Sequence, residues 1–259
     1  MMKQYLKSEF YRILRKSSTY AFIGVSSLLL LSSNVVLAVV KHMDKSFPYA
    51  TTRYSIGNLY TSFVAIYLLC IMIATMIFGN EYGNHTMKNS ISYGISRGTL
   101  YFGKLVAEIV YAVIAFVIIS GIHIGSACLL LENSGQENIM LFLKTAALCF
   151  PLLIFAICAS NCFIFLLDNI GSAIAAITGL LVALPLISNL LGMRFEFFRK
   201  LSQILPWNLI NDMQFDFNKL DIILQWHEKT GYYYWLAGII QSVLVILAGY
   251  LIFSKKEIK

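Results

Sequence analysis

The sequence is poor in charge. Only 13% of its 259 residues are Asp, Glu, Lys or Arg, against roughly 25% in an ordinary soluble domain, which leaves too little polar material to cover a water-facing surface. Proline is scarce at four residues and glycine stands at sixteen, so a collagenous or low-complexity chain is excluded, and no repeat at a fixed period is present. There is no H-E-x-x-H, no G-x-S-x-G and no pair of carboxylates within an apolar run, so the common hydrolytic constellations lack their residues. The five cysteines, Cys70, Cys128, Cys149, Cys158 and Cys162, lie inside apolar stretches. There they read as small hydrophobes and not as a disulfide framework. Cys158 and Cys162 stand one helical turn apart but have no histidine or carboxylate in the same run to complete a metal set.

What the sequence has is apolar length, with 58% hydrophobic residues. Uncharged runs of spanning length occur at 20–40, 56–78, 105–131, 145–167, 170–191 and 232–253, and the only formal charge inside them is Glu108. A bilayer crossing needs about 20 apolar residues as a helix, and continuous runs argue for helices over the short alternating strands of a barrel. The expected fold is an all-α polytopic membrane protein with six transmembrane helices in a single domain, 1–259. With the N-terminus inside, the cytoplasmic segments carry eleven Lys and Arg against nine outside, or eleven against four once the long last outer loop is set aside. Positive-inside then places both termini in the cytoplasm.

The segment 1–19 is read as a retained cytoplasmic amphipathic helix, because the following run is too long for a signal core. Leu6, Phe10, Ile13 and Leu14 share one face, while Lys3, Lys7, Arg12, Arg15 and Lys16 lie largely on the rest, a pattern suited to the inner leaflet and also to a plain topology-fixing flank. The net charge of +7 is therefore assigned to membrane anchoring. Nucleic acid is not an expected partner, since no basic domain stands outside the membrane.

Between the runs, 79–104 is a long cytoplasmic loop and 192–231 a long extracellular one. In the latter, Phe198, Leu201 and Leu205 recur at helical spacing before Pro206, and Trp207, Trp226, Tyr232, Tyr233, Tyr234 and Trp235 suit an outer aromatic belt. Asp168 and Asn169 form a two-residue turn, with Asp168 expected to cap a helix. Gly98 to Lys104 fits G-x4-G-K but continues into Leu105 and follows no strand, so ATP is not expected there, and Lys104 with Glu108 reads as an i,i+4 pair. His123 lies between Gly121 and Gly125, a spacing that lets helices approach closely. It reads first as a packed, hydrogen-bonded histidine and alternatively as a pathway residue.

The order Glu81-Tyr82-Gly83-Asn84-His85-Thr86-Met87-Lys88, then Ile95-Ser96-Arg97, then Gly103-Lys104-Leu105 resembles the signature after the second helix of ABC-2 type transporter permeases. There an acid followed by G-T-x-K, a turn with S-R, and G-K-L lead into the third helix. Asn84 and His85, inserted before Thr86, resemble the branch serving bacitracin-type resistance, lantibiotic immunity and peptide-toxin export. Leu205-Pro206 also matches the family's pattern between the fifth and sixth helices.

The resemblance implies a multi-pass, bacterial cell-membrane permease that dimerises with itself or a related paralogue. It implies two copies of a cytoplasmic ABC ATPase subunit as partners, with ATP and Mg bound there and no cofactor, metal or catalytic residue on this chain. The expected activity is export of amphipathic peptides or hydrophobic antibiotics. The ATPase-coupling loop would use Glu81, Tyr82, Gly83, Thr86, Lys88, Ser96, Arg97 and Lys104. A cargo cleft between the second and fifth helices would draw on Phe63, Tyr67, Met72, Met76 and His123. An ATP-independent secondary transporter or channel is the alternative, disfavoured by so few intramembrane acids, and a membrane-embedded enzyme using His123 or Glu108 comes after it.

Overall fold

The computed structural model describes residues 2–83, 86–216, 221–224 and 231–256, and the side chains of 79–88, 215–221 and 223–224 lie outside that description. Asn84, His85 and Trp226 fall in the segments not described. Helix α1 covers Met2–Arg15 and α2 Ser17–Met43, joined at Lys16. The face α1 buries is Tyr5, Glu9 and Ile13, one position off the apolar face expected from the sequence. Leu14 is 63% exposed and Leu6 and Phe10 are half-buried. The tyrosine and the acid find room on the neighbouring helix that pure hydrophobicity does not anticipate: a Cβ on Gly103 would lie 2.5 Å from the Tyr5 ring.

The apolar runs form helices α3 (Thr52–Thr61), α4 (Phe63–Gly83), α6 (Arg97–Leu130), α7 (Glu137–Leu166), α8 (Ile170–Thr178) with α9 (Leu184–Gly192), and α12 (Tyr232–Lys255). Helices α8 and α9 are continuous through one π-helical turn, Gly179–Ala183. Among the described residues five helices are long and apolar enough to cross a membrane, or up to six when α3 and α4 count as one span bent by 57°. The chain is an all-α polytopic membrane domain.

Two stretches differ from the sequence expectation. The run 56–78 is interrupted at Ser62, where Gly57, Asn58, Thr61 and Ser62 are all weak helix formers and the Thr61 hydroxyl bonds back to the Gly57 carbonyl at 2.9 Å. The expected loop 79–104 is largely helical: α4 continues through Gly83, α5 covers Thr86–Ser92, and α6 already starts at Arg97. Ser96 makes that early start favourable, its hydroxyl accepting the Thr99 N–H at 3.2 Å as a helix N-cap does. In the expected outer loop, α10 (Glu196–Ser202) and α11 (Pro206–Asn211) precede an antiparallel hairpin, β1 (Met213–Asp216) with β2 (Asp221–Leu224). Pro206 opens α11, a position that tolerates its missing N–H.

Helix α7 is the centre, packing most extensively on α12 and also on α4, α3, α8 and α6. Its closest approach to α12 is at Gly238, where a Cβ would lie 2.6 Å from the backbone carbon of Pro151. Helix α2 is the opposite case. It packs chiefly on α6, and its buried residues are Thr19, Ser27 and Asn34, all polar. The N-termini of α2, α6 and α8 and the C-termini of α4, α7 and α12 share one end of the bundle, called basal below.

Gly121 and Gly125, expected to bring helices together, have nothing within 4 Å of an added Cβ. Gly121→Ala should therefore be neutral or raise stability by up to about 1 kcal/mol through helix propensity. Gly238→Ala should lower it by about 1 to 3 kcal/mol through overpacking. Thermal unfolding of the detergent-purified variants distinguishes the two.

Candidate functional site

At the basal end the few charged side chains hold helix ends together. The Lys104 ammonium is fully buried on α6 and meets Glu9 Oε2 of α1 at 3.2 Å, while Arg12 reaches the same oxygen at 2.5 Å. The Phe78 ring centroid of α4 lies 5.1 Å from the Lys104 nitrogen. Burial opposes ionisation of Glu9, but the two cations beside it outweigh that and hold its carboxyl below the ordinary value of 4.5. One nitrogen of Arg97, Nη1, donates to the carbonyls of Phe253, Ser254 and Lys256 at 2.9, 3.0 and 2.5 Å. Phe253 and Ser254 lie in the last turn of α12 and Lys256 is its C-cap, where carbonyls are short of intrahelical donors; the Phe253 carbonyl also accepts the Lys256 N–H at 3.3 Å. The Lys256 ammonium in turn caps α7, donating to Leu166 O at 2.8 Å and pairing with Asp168 at 2.6 Å. Lys16 ties the start of α2 to α4, donating to Met76 O seven residues before the end of that helix. Cations at helix C-termini also complement the helix dipoles.

Deeper in the bundle a second polar group joins α2, α3 and α6. Asn34 Nδ2 donates to His123 O at 3.0 Å and to Ser126 Oγ at 2.8 Å, and the Ser55 hydroxyl donates to Asn34 Oδ1 at 2.5 Å. With its proton spent there, Ser55 Oγ accepts from His123 Nε2 at 3.1 Å. This group walls one side of an elongated cavity of about 1020 Å³ between α2, α3–α4, α6 and α7.

The family described as "ABC-2 family transporter protein" matches residues 5–184, more than half of the chain. The chain belongs to the ABC-2 transporter family. No curated protein matches it. As an ABC-2 protein it is a membrane transport component, and the family implies an ATPase partner.

Of the coupling residues expected for this ABC-2 protein, Glu81, Tyr82, Gly83, Thr86 and Lys88 have side chains outside the described residues; their backbones fall at the end of α4 and in α5. Ser96 caps α6. Arg97 and Lys104, expected to grip a partner, are turned inward, one on the end of α12 and one buried against Glu9. Asp168 is not a cap: Asn169 fills that role, its side chain accepting the Gly171 N–H at 2.7 Å, and Asp168 pairs with Lys256.

The expected cargo residues are not brought together. Phe63 and Tyr67 are fully buried, packed on Phe142 and Trp207 respectively. Met72 faces outward at 56% exposure, and Met76 packs in the separate cluster around α1 and α6. His123 alone of the five borders the large cavity, to which the fifth run (α8–α9) contributes nothing among the described residues.

Three important residues escaped the sequence reading. Glu9 is the only acid in the first sixteen residues, Asn34 the only carboxamide in 20–40 and Asn58 the only one in 56–78, and that isolation was the available signal.

Glu9→Gln should cost about 3 to 5 kcal/mol, the magnitude for leaving one partner of a buried pair alone. Because the folded pKa of Glu9 is depressed, the pair's contribution is complete above pH 4.5 and is lost as pH falls through the folded value. The gap in melting temperature between wild type and Glu9→Gln should therefore be full near neutrality and close on acidification below 4.5.

Proposed function

We propose that this chain is the permease half of an ATP-binding cassette exporter that moves amphipathic peptides or hydrophobic antibiotics out of the cell, in the branch serving bacitracin-type resistance, lantibiotic immunity and peptide-toxin export. Two copies of the permease, or one with a close paralogue, work with two copies of a cytoplasmic ATPase that binds ATP and Mg. The basal end faces the cytoplasm of a bacterial cell, and the segment from Glu81 through Ser96 docks on the ATPase. Glu81 pairs with a basic groove there, Gly83 permits close backbone approach, and Thr86 opens α5.

The observation that carries this reading is the clasp of Arg97 on three carbonyls at the end of α12 and its C-cap, those of Phe253, Ser254 and Lys256. Arg97 is the first residue of α6, directly after the segment assigned to docking. A rigid-body displacement of that segment reaches α12 through Arg97, α7 through Lys256, and α1 through Lys104 and Glu9. Lys104 and Arg97 are thus positioning residues behind the docking surface. The chain supplies no chemistry of its own to drive transport, and nucleotide-driven closure of the ATPase pair selects between the permease's conformations.

Affinity purification of the chain from its native cell should bring down a soluble ATPase with a full phosphate loop. In that complex, Glu81→Ala should lower cargo-stimulated ATP hydrolysis at least tenfold while the permease remains inserted. A chain that purifies alone and moves solute down an ion gradient would overturn the assignment.

A further inference from the structure

The cavity of about 1020 Å³ between α2, α3–α4, α6 and α7 is left unused by the coupling reading. It borders α2 from Phe22 to Leu37, roughly 22 Å at 1.5 Å per residue, so it is a slot running along the helices. Among the described residues, no Asp, Glu, Lys or Arg lines it. A charged ligand would enter without a counter-charge, at a cost of several kcal/mol.

The slot is not uniformly apolar. Ser55, Asn58 and Ser62 stand three, four and seven apart on its α3 side, at the break between α3 and α4, and Ser120 and His123 line it from α6. Ser55 and Ser120 spend their protons inside the protein, on Asn34 Oδ1 and on Phe116 O at 2.6 Å. His123 is held by Ser55, while Asn58 and Ser62 are exposed to the slot. The Asn58 carboxamide and the Ser62 hydroxyl have no hydrogen-bond partner among the described residues. A carboxamide left without a partner against an apolar occupant costs a few kcal/mol, so an occupant that pairs with Asn58 is favoured over one that does not. A carboxamide offers one acceptor and two donors together, which matches a peptide group and leaves a hydrocarbon or a carboxylate poorly served.

We propose that this slot binds an uncharged amphipath carrying an amide or peptide group beside an aliphatic chain, with Asn58 as the residue that recognises the amide. Helix α2, which packs chiefly on α6 and buries Thr19, Ser27 and Asn34, forms the wall through which such a ligand enters from the bilayer. The proposal rests on the export reading for its biological consequence, since it names the chemical class of cargo, but the binding event itself requires no ATPase.

The test uses the purified full chain in nanodiscs without nucleotide or ATPase. Three radiolabelled probes are compared: N-decanoyl-leucinamide, N-decanoyl-leucine with its free carboxylate, and an alkane of the same chain length. The amide should bind saturably, one per chain, and at least tenfold more tightly than either of the others. Asn58→Leu, which keeps the volume and removes the amide, should weaken it about tenfold, equivalent to about 1.4 kcal/mol. Ala65→Trp, which places an indole in the slot, should abolish binding while the protein still elutes as a single folded species.

Equal binding of all three probes, or unchanged affinity in Asn58→Leu, would reduce the slot to a place for lipid tails and overturn the proposal. So would a native mass spectrum in which a dimer of the chain excludes the probe that the monomer binds, since a second copy would then be the occupant. Failure to find an ATPase would sink the export reading and leave this binding standing. Loss of amide selectivity in a chain that still copurifies with its ATPase would sink this proposal alone.

Discussion

Every helix that ends at a membrane surface leaves carbonyls without an intrahelical partner, and a chain this poor in charge has few cations with which to satisfy them. The structure depends on how those few are placed. Arg97 and Lys256 reach the C-terminal carbonyls of α12 and α7, and Lys16 reaches the Met76 carbonyl within α4. The same three residues therefore join helices that are distant in sequence. Lys104 differs because it is buried within α6 and needs an anion, which α1 supplies as Glu9. Taken one at a time, such contacts at an exposed surface are worth little; the Lys256–Asp168 pair, with Asp168 largely exposed, falls in the range of 0 to about 1 kcal/mol. Their weight is geometric. They tie α1 to α6, α6 to α12, α12 to α7 and the start of α2 to α4.

The apolar runs were legible in the sequence because hydropathy over twenty residues is a strong signal. The break at Ser62 was not, since Gly57, Asn58, Thr61 and Ser62 lower helix propensity without lowering mean hydropathy enough to end the run. The helical character of 79–104 was hidden for the opposite reason: the segment is polar, and a polar segment reads as loop unless its caps are weighed. Ser96 before Arg97 was such a cap. The candidate coupling residues were found by their order along the chain, but whether Arg97 and Lys104 turn outward or inward is a tertiary matter. Position along the sequence marks a charge as important and does not say which partner it has.

The cargo residues show the limit more sharply. Phe63, Tyr67, Met72 and Met76 suit a cargo wall because aromatic and thioether side chains make adaptable apolar surfaces, yet all four pack into the structure or face outward, and none borders the slot. In a span where nearly every residue is apolar, the apolar ones carry little information. The isolated polar ones carry more, because each must be paid for by a partner. Asn34 and Ser55 find theirs in each other and in His123. Asn58 faces open space.

Cohesion is thus distributed unevenly. Helices α7 and α12 meet at backbone distance through Gly238, whereas α2 is held to α6 by Tyr111 on Thr19 O at 2.8 Å near one end and by Asn34 near the other, with the slot alongside. Helix α6 takes part in both regimes. Its first residue holds α12, its eighth holds α1, and His123, roughly 39 Å further along from Arg97 at 1.5 Å per residue, meets the α2–α3 seam. A helix is stiff over that length. A tilt imposed at the basal clasp is therefore carried along α6 to the polar seam and to the slot that the seam borders, because α6 takes part in both.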